Sequence, residues 1–191
     1  MPSSRNNTKE QILQATLAVL KDVGSEGLTL RKVAAEAGLS LGNLQYHYPG
    51  KSALLGGLCE DYFEECRQAL AAYQPSDLNA ACSVKLEELI RFYMDHVDHL
   101  SDMCRVFREI WALSTREEAI AKQMASYYQR LESQLQEILG SFGLDAPAAT
   151  RISNLLLPYF EGYSIVHDGL SAEKEEIVRM LSDLSIRLSQ T

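Results

Sequence analysis

Between Thr29 and Pro49, in "TLRKVAAEAGLSLGNLQYHYP", the chain starts and stops a helix twice within a few turns. Thr29 and Ser40 are hydroxyl residues placed to accept from amides in the helical turn that follows each of them. Gly38 tolerates the positive φ with which the chain leaves the first of these helices. Pro49 pushes Tyr48 out of the α region and ends the second. Two helices that cross closely need a small residue at the crossing, which Ala34 or Ala35 supplies. Val33, Leu39 and Leu44 are spaced to cover a small core against Leu13, Leu17 and Leu30. With a preceding helix, this spacing describes a helix-turn-helix.

Elsewhere the pattern is also helical. "TKEQILQATLAVLKDVG" places Ile12, Leu13, Thr16, Leu17 and Leu20 on one face. Thr8 and Gln11 have the spacing of a capping box, and Gly24 supplies a stop. A long segment, "GKSALLGGLCEDYFEECRQALAAY", runs to the turn "QPSD". Five more stretches are predicted helical, at residues 79–99, 102–113, 116–140, 147–168 and 173–189. No alternating strand, internal repeat or low-complexity tract interrupts them. The expectation is an all-α chain of about nine helices, divided into a helix-turn-helix domain at 1–53 and a larger helical domain at 54–191.

Charge follows the same division. Net charge is −8, yet residues 1–51 hold six Lys/Arg against four acids, and the remaining 12 basic and 22 acidic residues give −10. A mildly basic segment on an acidic body suits an anion-binding module joined to a part with another task. No apolar run reaches the ~18 residues of a membrane span, and "MPSSRNNTKEQ" has no apolar core of a signal peptide. Cys59, Cys66, Cys82 and Cys104 form no CxxC pair, so they are expected as reduced thiols in the cytoplasm.

"LTLRKVAAEAGLSLGNLQYHYPGKSALL" resembles the DNA-binding signature of the tetracycline-repressor (TetR) family of transcriptional regulators, the match running from about Thr8 to Leu55. The resemblance implies a third helix whose first turn enters the major groove of double-stranded DNA. Gly42 would permit close approach, and Asn43 and Gln45 are amides able to pair with base edges. Leu41, where many relatives have a basic residue, can meet a thymine methyl. Tyr46 and His47 resemble the family's phosphate-contacting pair, with Lys51 adding a cation near the start of the fourth helix. Thr29 and Ser40 complete the set, as caps whose hydroxyls and neighbouring amides face the backbone. Tyr48 stands where relatives usually have phenylalanine and is assigned to the core.

A catalytic role for His47 lacks an orienting partner and a nucleophile. One histidine between tyrosines is no metal-ligand set. No metal site and no cofactor is expected.

One short helix-turn-helix makes few contacts, so the family implies a homodimer on a pseudo-palindromic operator. The last two helices, apolar on more than one face, fit the dimer interface. The middle helices would surround a small-molecule effector. Candidate lining residues are Tyr93, Met103, Phe107, Trp111, Tyr127 and Tyr128, with Met94 and His96 in the same aromatic and methionine set. Glu161, in the apolar "LLLPYFEGYSIV", must be paired, reach an edge or face a polar ligand. The function implied is a ligand-responsive repressor. The rival readings are an enzyme acting on a small hydrophobic substrate, and a protein-interaction adaptor without DNA binding.

Overall fold

The computed structural model describes residues 4–99 and 101–190, with side chains except at 4–6, 97–99, 101–106 and 109. Among these residues there are nine α-helices and no strand. They are α1 (Ser4–Gly27), α2 (Leu30–Glu36), α3 (Leu41–His47), α4 (Lys51–Ala72), α5 (Cys82–His99), α6 (Ser101–Ser114), α7 (Glu118–Ser141), α8 (Ala146–Val166) and α9 (Lys174–Ser189). A single 3₁₀ turn, His167–Gly169, follows α8. The all-α expectation holds, and the predicted helix ends fall within a few residues of the observed ones throughout.

The chain divides into two compact units that interleave in sequence. One comprises residues 1–65 and 105–126, the other residues 66–104 and 127–191.

In the first unit α2 packs on α1 and α3 on α2. Its core is built from Ile12, Leu13, Val33 and Leu44, of which Ile12, Val33 and Leu44 are completely buried. Leu17, Leu30 and Leu39, placed in this core by their spacing, are only partly covered. Both caps form as the sequence requires: Thr29 accepts from the Lys32 amide and Ser40 from that of Asn43. Gly38 has φ +64°.

Two local expectations are corrected. Thr8 lies inside α1, which begins earlier, so no capping box opens the helix there. Gln11 instead reaches across to α2, its Nε2 donating to the Ala37 carbonyl at 2.8 Å. Gly24 does break the helical path, with φ 67° and ψ 178°, but one more turn follows it to Gly27.

In the second unit α5 packs on α9 and α8, and α8 on α9. Leu86, Leu89, Ile90 and Met94 of α5, Ile152 and Leu156 of α8, and Ile177, Val178 and Leu181 of α9 are buried. At the rim, Arg91 bridges Glu87 at 2.9 Å and Glu175 at 2.8 Å, and Lys174 meets Asp95 at 2.6 Å. Exposed pairs of this kind contribute little to stability. The apolar interior therefore dominates the stability of this unit. Asp145 caps α8 through the Ala148 amide, and the helix continues through Pro158. No helix among the described residues is long and apolar enough to cross a membrane.

Candidate nucleic-acid interface

The outward face of α3 follows from how little of the helix is anchored. Leu44 is its one fully buried side chain, and Tyr48, just past its end, is 9% exposed. With Leu44 turned inward, Gly42, Asn43, Gln45 and Tyr46 stand in solvent, and Leu41 and His47 are half-buried. Tyr46 is 66% exposed, its ring meeting that of His47 edge-on at 5.2 Å. A Cβ added to Gly42 would meet nothing within 4 Å, so the backbone there is bare to an approaching surface. Burial leads, with Asp61 and Glu60 adding, in raising the Tyr48 phenol, which fits its core position.

Thr29 and Ser40 are exposed at the mouths of α2 and α3. Each hydroxyl oxygen already accepts from an amide, at 3.3 Å and 3.1 Å. The hydroxyl protons remain available for an external acceptor. Lys51 is committed in part. Its Nζ donates to the Ser25 carbonyl at 2.5 Å, while Lys32 Nζ donates to the Gly27 carbonyl at 3.1 Å. Lys32, five residues on, and Lys51, 26 residues on, thus satisfy carbonyls at the C-terminal end of α1, where cations are favoured. An ammonium has three donors, so Lys51 can hold this carbonyl and still face an anion. Sequence reasoning missed this clamp, because nothing in the spacing of Ser25, Gly27, Lys32 and Lys51 shows that they meet.

The residues expected around an effector fall into both units. Within the second, Tyr93 of α5 stacks on Phe160 of α8 with centroids 4.5 Å apart and 9° between planes. Tyr127, buried on α7, touches the ring of Tyr128 at 5.1 Å. Burial pushes the Glu161 carboxyl up to about 7, and the hydroxyl of Tyr128 offsets part of that rise. The Tyr93 phenol is raised as well, by burial first and then by Cys66 and Glu161 nearby. Its hydroxyl is buried with no hydrogen-bond partner among the described residues. Tyr93, Tyr128 and Glu161 are therefore one cluster.

Within the first unit, Phe107 packs against Tyr62 at 5.2 Å and Phe63 at 5.0 Å. This aromatic pair on α4 was not among the expected residues, although "DYFEEC" displays it. Trp111 is 53% exposed. The side chain of Met103 lies outside the described residues, as does that of His99.

Among the described residues no three His, Cys, Asp or Glu side chains gather as a metal site. Cys59 is buried, and burial, with Glu60 adding, raises its thiol to about 12, the opposite of an activated thiolate.

Residues 12–58 match the family model described as "Bacterial regulatory proteins, tetR family". Over 180 residues the chain is 32% identical to an uncharacterized HTH-type transcriptional regulator of Xanthobacter autotrophicus, covering 94% of this chain and 89% of that protein. Its fold is similar to that of a TetR transcription regulator of Haloarcula marismortui, with a TM-score of 0.76 at 17% identity over 97% of each chain. A transcriptional regulator of Saccharomonospora viridis, solved in complex with choline, matches with a TM-score of 0.72 at 18% identity, over 95% of this chain and 96% of that one.

Proposed function

The chain belongs to the TetR family of bacterial transcriptional regulators, and from that premise we propose that it is a cytoplasmic homodimeric repressor released from a pseudo-palindromic operator by a small organic effector. In this reading residues 1–53 read DNA, and residues 54–191 bind effector and partner. The observation that carries it is α3 itself. A seven-residue helix, capped at Ser40 and pinned through Leu44, presents Asn43, Gln45 and Tyr46 exposed on its outer face.

Each side chain then has a task set by its chemistry. Asn43 and Gln45 offer paired donor and acceptor atoms that fit an adenine edge. Leu41 offers a methyl contact to thymine. Tyr46, His47, Thr29, Ser40 and one remaining donor of Lys51 hold phosphates and fix the register of α3 in the groove. A single α3 reads only a few base pairs, so two copies must fall on successive major-groove faces, about 34 Å apart.

Support for the dimer comes from the far end of the chain. Ile165 and Val166 of α8, Leu170 beyond it, and Met180 and Leu184 of α9 are large apolar side chains left 40–53% exposed. Met180 and Leu184, four residues apart, form the exposed edge of the same apolar stripe whose other members, Ile177, Val178 and Leu181, are buried. An apolar stripe wider than its own chain covers calls for a second partner, and that partner is a copy of itself.

Release by effector is a population shift. The effector favours a conformer in which α4 carries the two α3 helices out of match with adjacent grooves. It does so only by its difference in affinity for the two states, on the order of a few kcal/mol.

The test is fluorescence anisotropy with the DNA upstream of the protein's own gene, repeated across salt concentrations. Binding should weaken steeply as salt rises, because each neutralised phosphate releases counterions. Salt-insensitive binding, or none to any upstream fragment, would refute the reading.

A further inference from the structure

Unit two contains a carboxylate and two phenols in a place where the fold gives them little to do. Glu161 sits on α8 between Phe160 and Gly162, inside a run that is otherwise apolar. Among the described residues no ion pair joins it to a cation; the Tyr128 hydroxyl hydrogen-bonds it, and its charge reaches the Tyr93 phenol. Tyr93 lies flat on Phe160, the residue before the acid, so the two rings close on each other and leave only their outer faces open to a guest. The Tyr93 hydroxyl is buried with no hydrogen-bond partner among the described residues. A Cβ placed on Gly162 would meet nothing within 4 Å, so there is open space next to the acid on the same helix.

These features are costly for an empty core. A buried hydroxyl without a partner is destabilising, and a buried carboxylate met by one hydroxyl but no cation is more so. Apolar replacements of the same volume would remove both penalties. Together the groups match one kind of guest. A positive charge needs a carboxylate and aromatic faces, and the orphan hydroxyl needs an oxygen to donate to.

We propose that Glu161, Tyr93, Tyr128 and Phe160 form a binding site for a small organic ammonium that also carries an oxygen acceptor, such as an alkanolammonium. The carboxylate of Glu161 neutralises the ammonium, and an outer face of the Tyr93–Phe160 stack meets it. The Tyr93 hydroxyl donates to the ligand's oxygen. The proposal rests on the regulator reading only for its consequence, namely that such a cation is the effector.

It also fixes a pH dependence. Glu161 must be ionised to hold the cation, and burial raises it to about 7. The titratable groups facing it are Tyr128 from α7 and Tyr93 from α5, with Cys66 of α4 behind Tyr93. The phenols stay neutral over this range, so Glu161 alone sets the profile. Affinity should rise about tenfold per pH unit up to near 7 and level off above it.

The experiment is isothermal titration calorimetry on the full-length protein with choline, with dimethylbutanol (carbon replacing the nitrogen of choline), and with tetramethylammonium. Choline should bind at least about tenfold more tightly than either. Glu161→Gln, which mimics the protonated acid and keeps its shape, should bind choline no better than dimethylbutanol and show no pH profile. Tyr93→Phe should bind choline and tetramethylammonium alike. Choline binding no tighter than dimethylbutanol, a Glu161→Gln protein that binds like wild type, or no heat with any probe would overturn the site. Operator anisotropy run in parallel separates the two ideas. Failure of wild type to bind DNA refutes the regulator but leaves the calorimetry standing. Choline binding that leaves the operator complex intact overturns the effector role alone.

Discussion

The ring of Tyr48 fills a notch that only glycine leaves open at position 57: a Cβ added there would stand 2.5 Å from Tyr48 Cε1 and 3.0 Å from its hydroxyl oxygen. Tyr48 closes α3, and Gly57 lies on α4, so this contact constrains how α3 meets the helix that follows it. Gly57→Ala favours the helix by propensity, by up to ~1 kcal/mol, but it displaces a ring that has nowhere else to go. Overpacking of this kind costs ~1–3 kcal/mol. We expect a net loss of stability in thermal unfolding, and weaker operator binding from a tilted α3.

Tyr46 and Tyr48, two residues apart, should respond in opposite ways. Tyr46 is exposed and Tyr48 is buried. Tyr46→Ala should leave the melting temperature within error and lower operator affinity about tenfold, uniformly across DNA sequences, as loss of a phosphate contact requires. Tyr48→Ala should lower stability by ~3–5 kcal/mol. A Tyr46→Ala protein that binds as well as wild type would remove it from the interface.

Lys51 has two roles that one substitution can separate. Lys51→Met keeps much of the side-chain volume but loses the hydrogen bond to Ser25. That bond is charge-assisted, so about 1–2 kcal/mol of stability should go with it. If the same ammonium also meets a phosphate, the slope of log affinity against log salt should fall by about one. A drop in stability with an unchanged slope would assign Lys51 to the clamp alone.

How much of this was legible in the sequence depends on the range of the interactions involved. Thr29, Gly38, Ser40 and Pro49 act within a turn of themselves, and the structure places each as its chemistry dictates. Gln11 and Thr8 also looked local, but a residue 26 positions away offered Gln11 a carbonyl that the helix could not. The Lys51–Ser25 clamp, the Gly57 notch and the Phe107 cluster with Tyr62 and Phe63 all join residues far apart in sequence. No periodicity encodes them. Glu161 was conspicuous as an acid in an apolar run, yet its partners, on α5 and α7, could be found only from the fold.

The same acid predicts a pH effect on stability. Its carboxyl is raised in the folded state from 4.5 to about 7, so the folded chain holds the proton more tightly than the unfolded one. The stabilising difference is complete below the unfolded value and is lost as pH rises through 7. Wild type should lose on the order of 2 kcal/mol between those limits relative to Glu161→Gln, which has no proton to lose. Using the difference between the two proteins cancels groups such as Glu88, held low first by hydrogen bonds from Ser76, and Glu175, held low first by Arg91. Parallel pH profiles for wild type and variant would show that Glu161 is solvated.

The dimer can be tested without touching either site. Met180 and Leu184 are 53% and 40% exposed on α9, with Ile177, Val178 and Leu181 on its buried side. An aspartate at an exposed position costs the monomer little, whereas in a helix pair it must be desolvated opposite its own symmetry copy. Two like charges brought together in that way oppose association strongly. Met180→Asp/Leu184→Asp should therefore keep its helical circular-dichroism spectrum and sediment as a monomer of about 21 kDa. Operator affinity should fall by more than Tyr46→Ala causes, because a lone α3 retains only one half-site. A double variant that still sediments as a dimer would move the interface to another face.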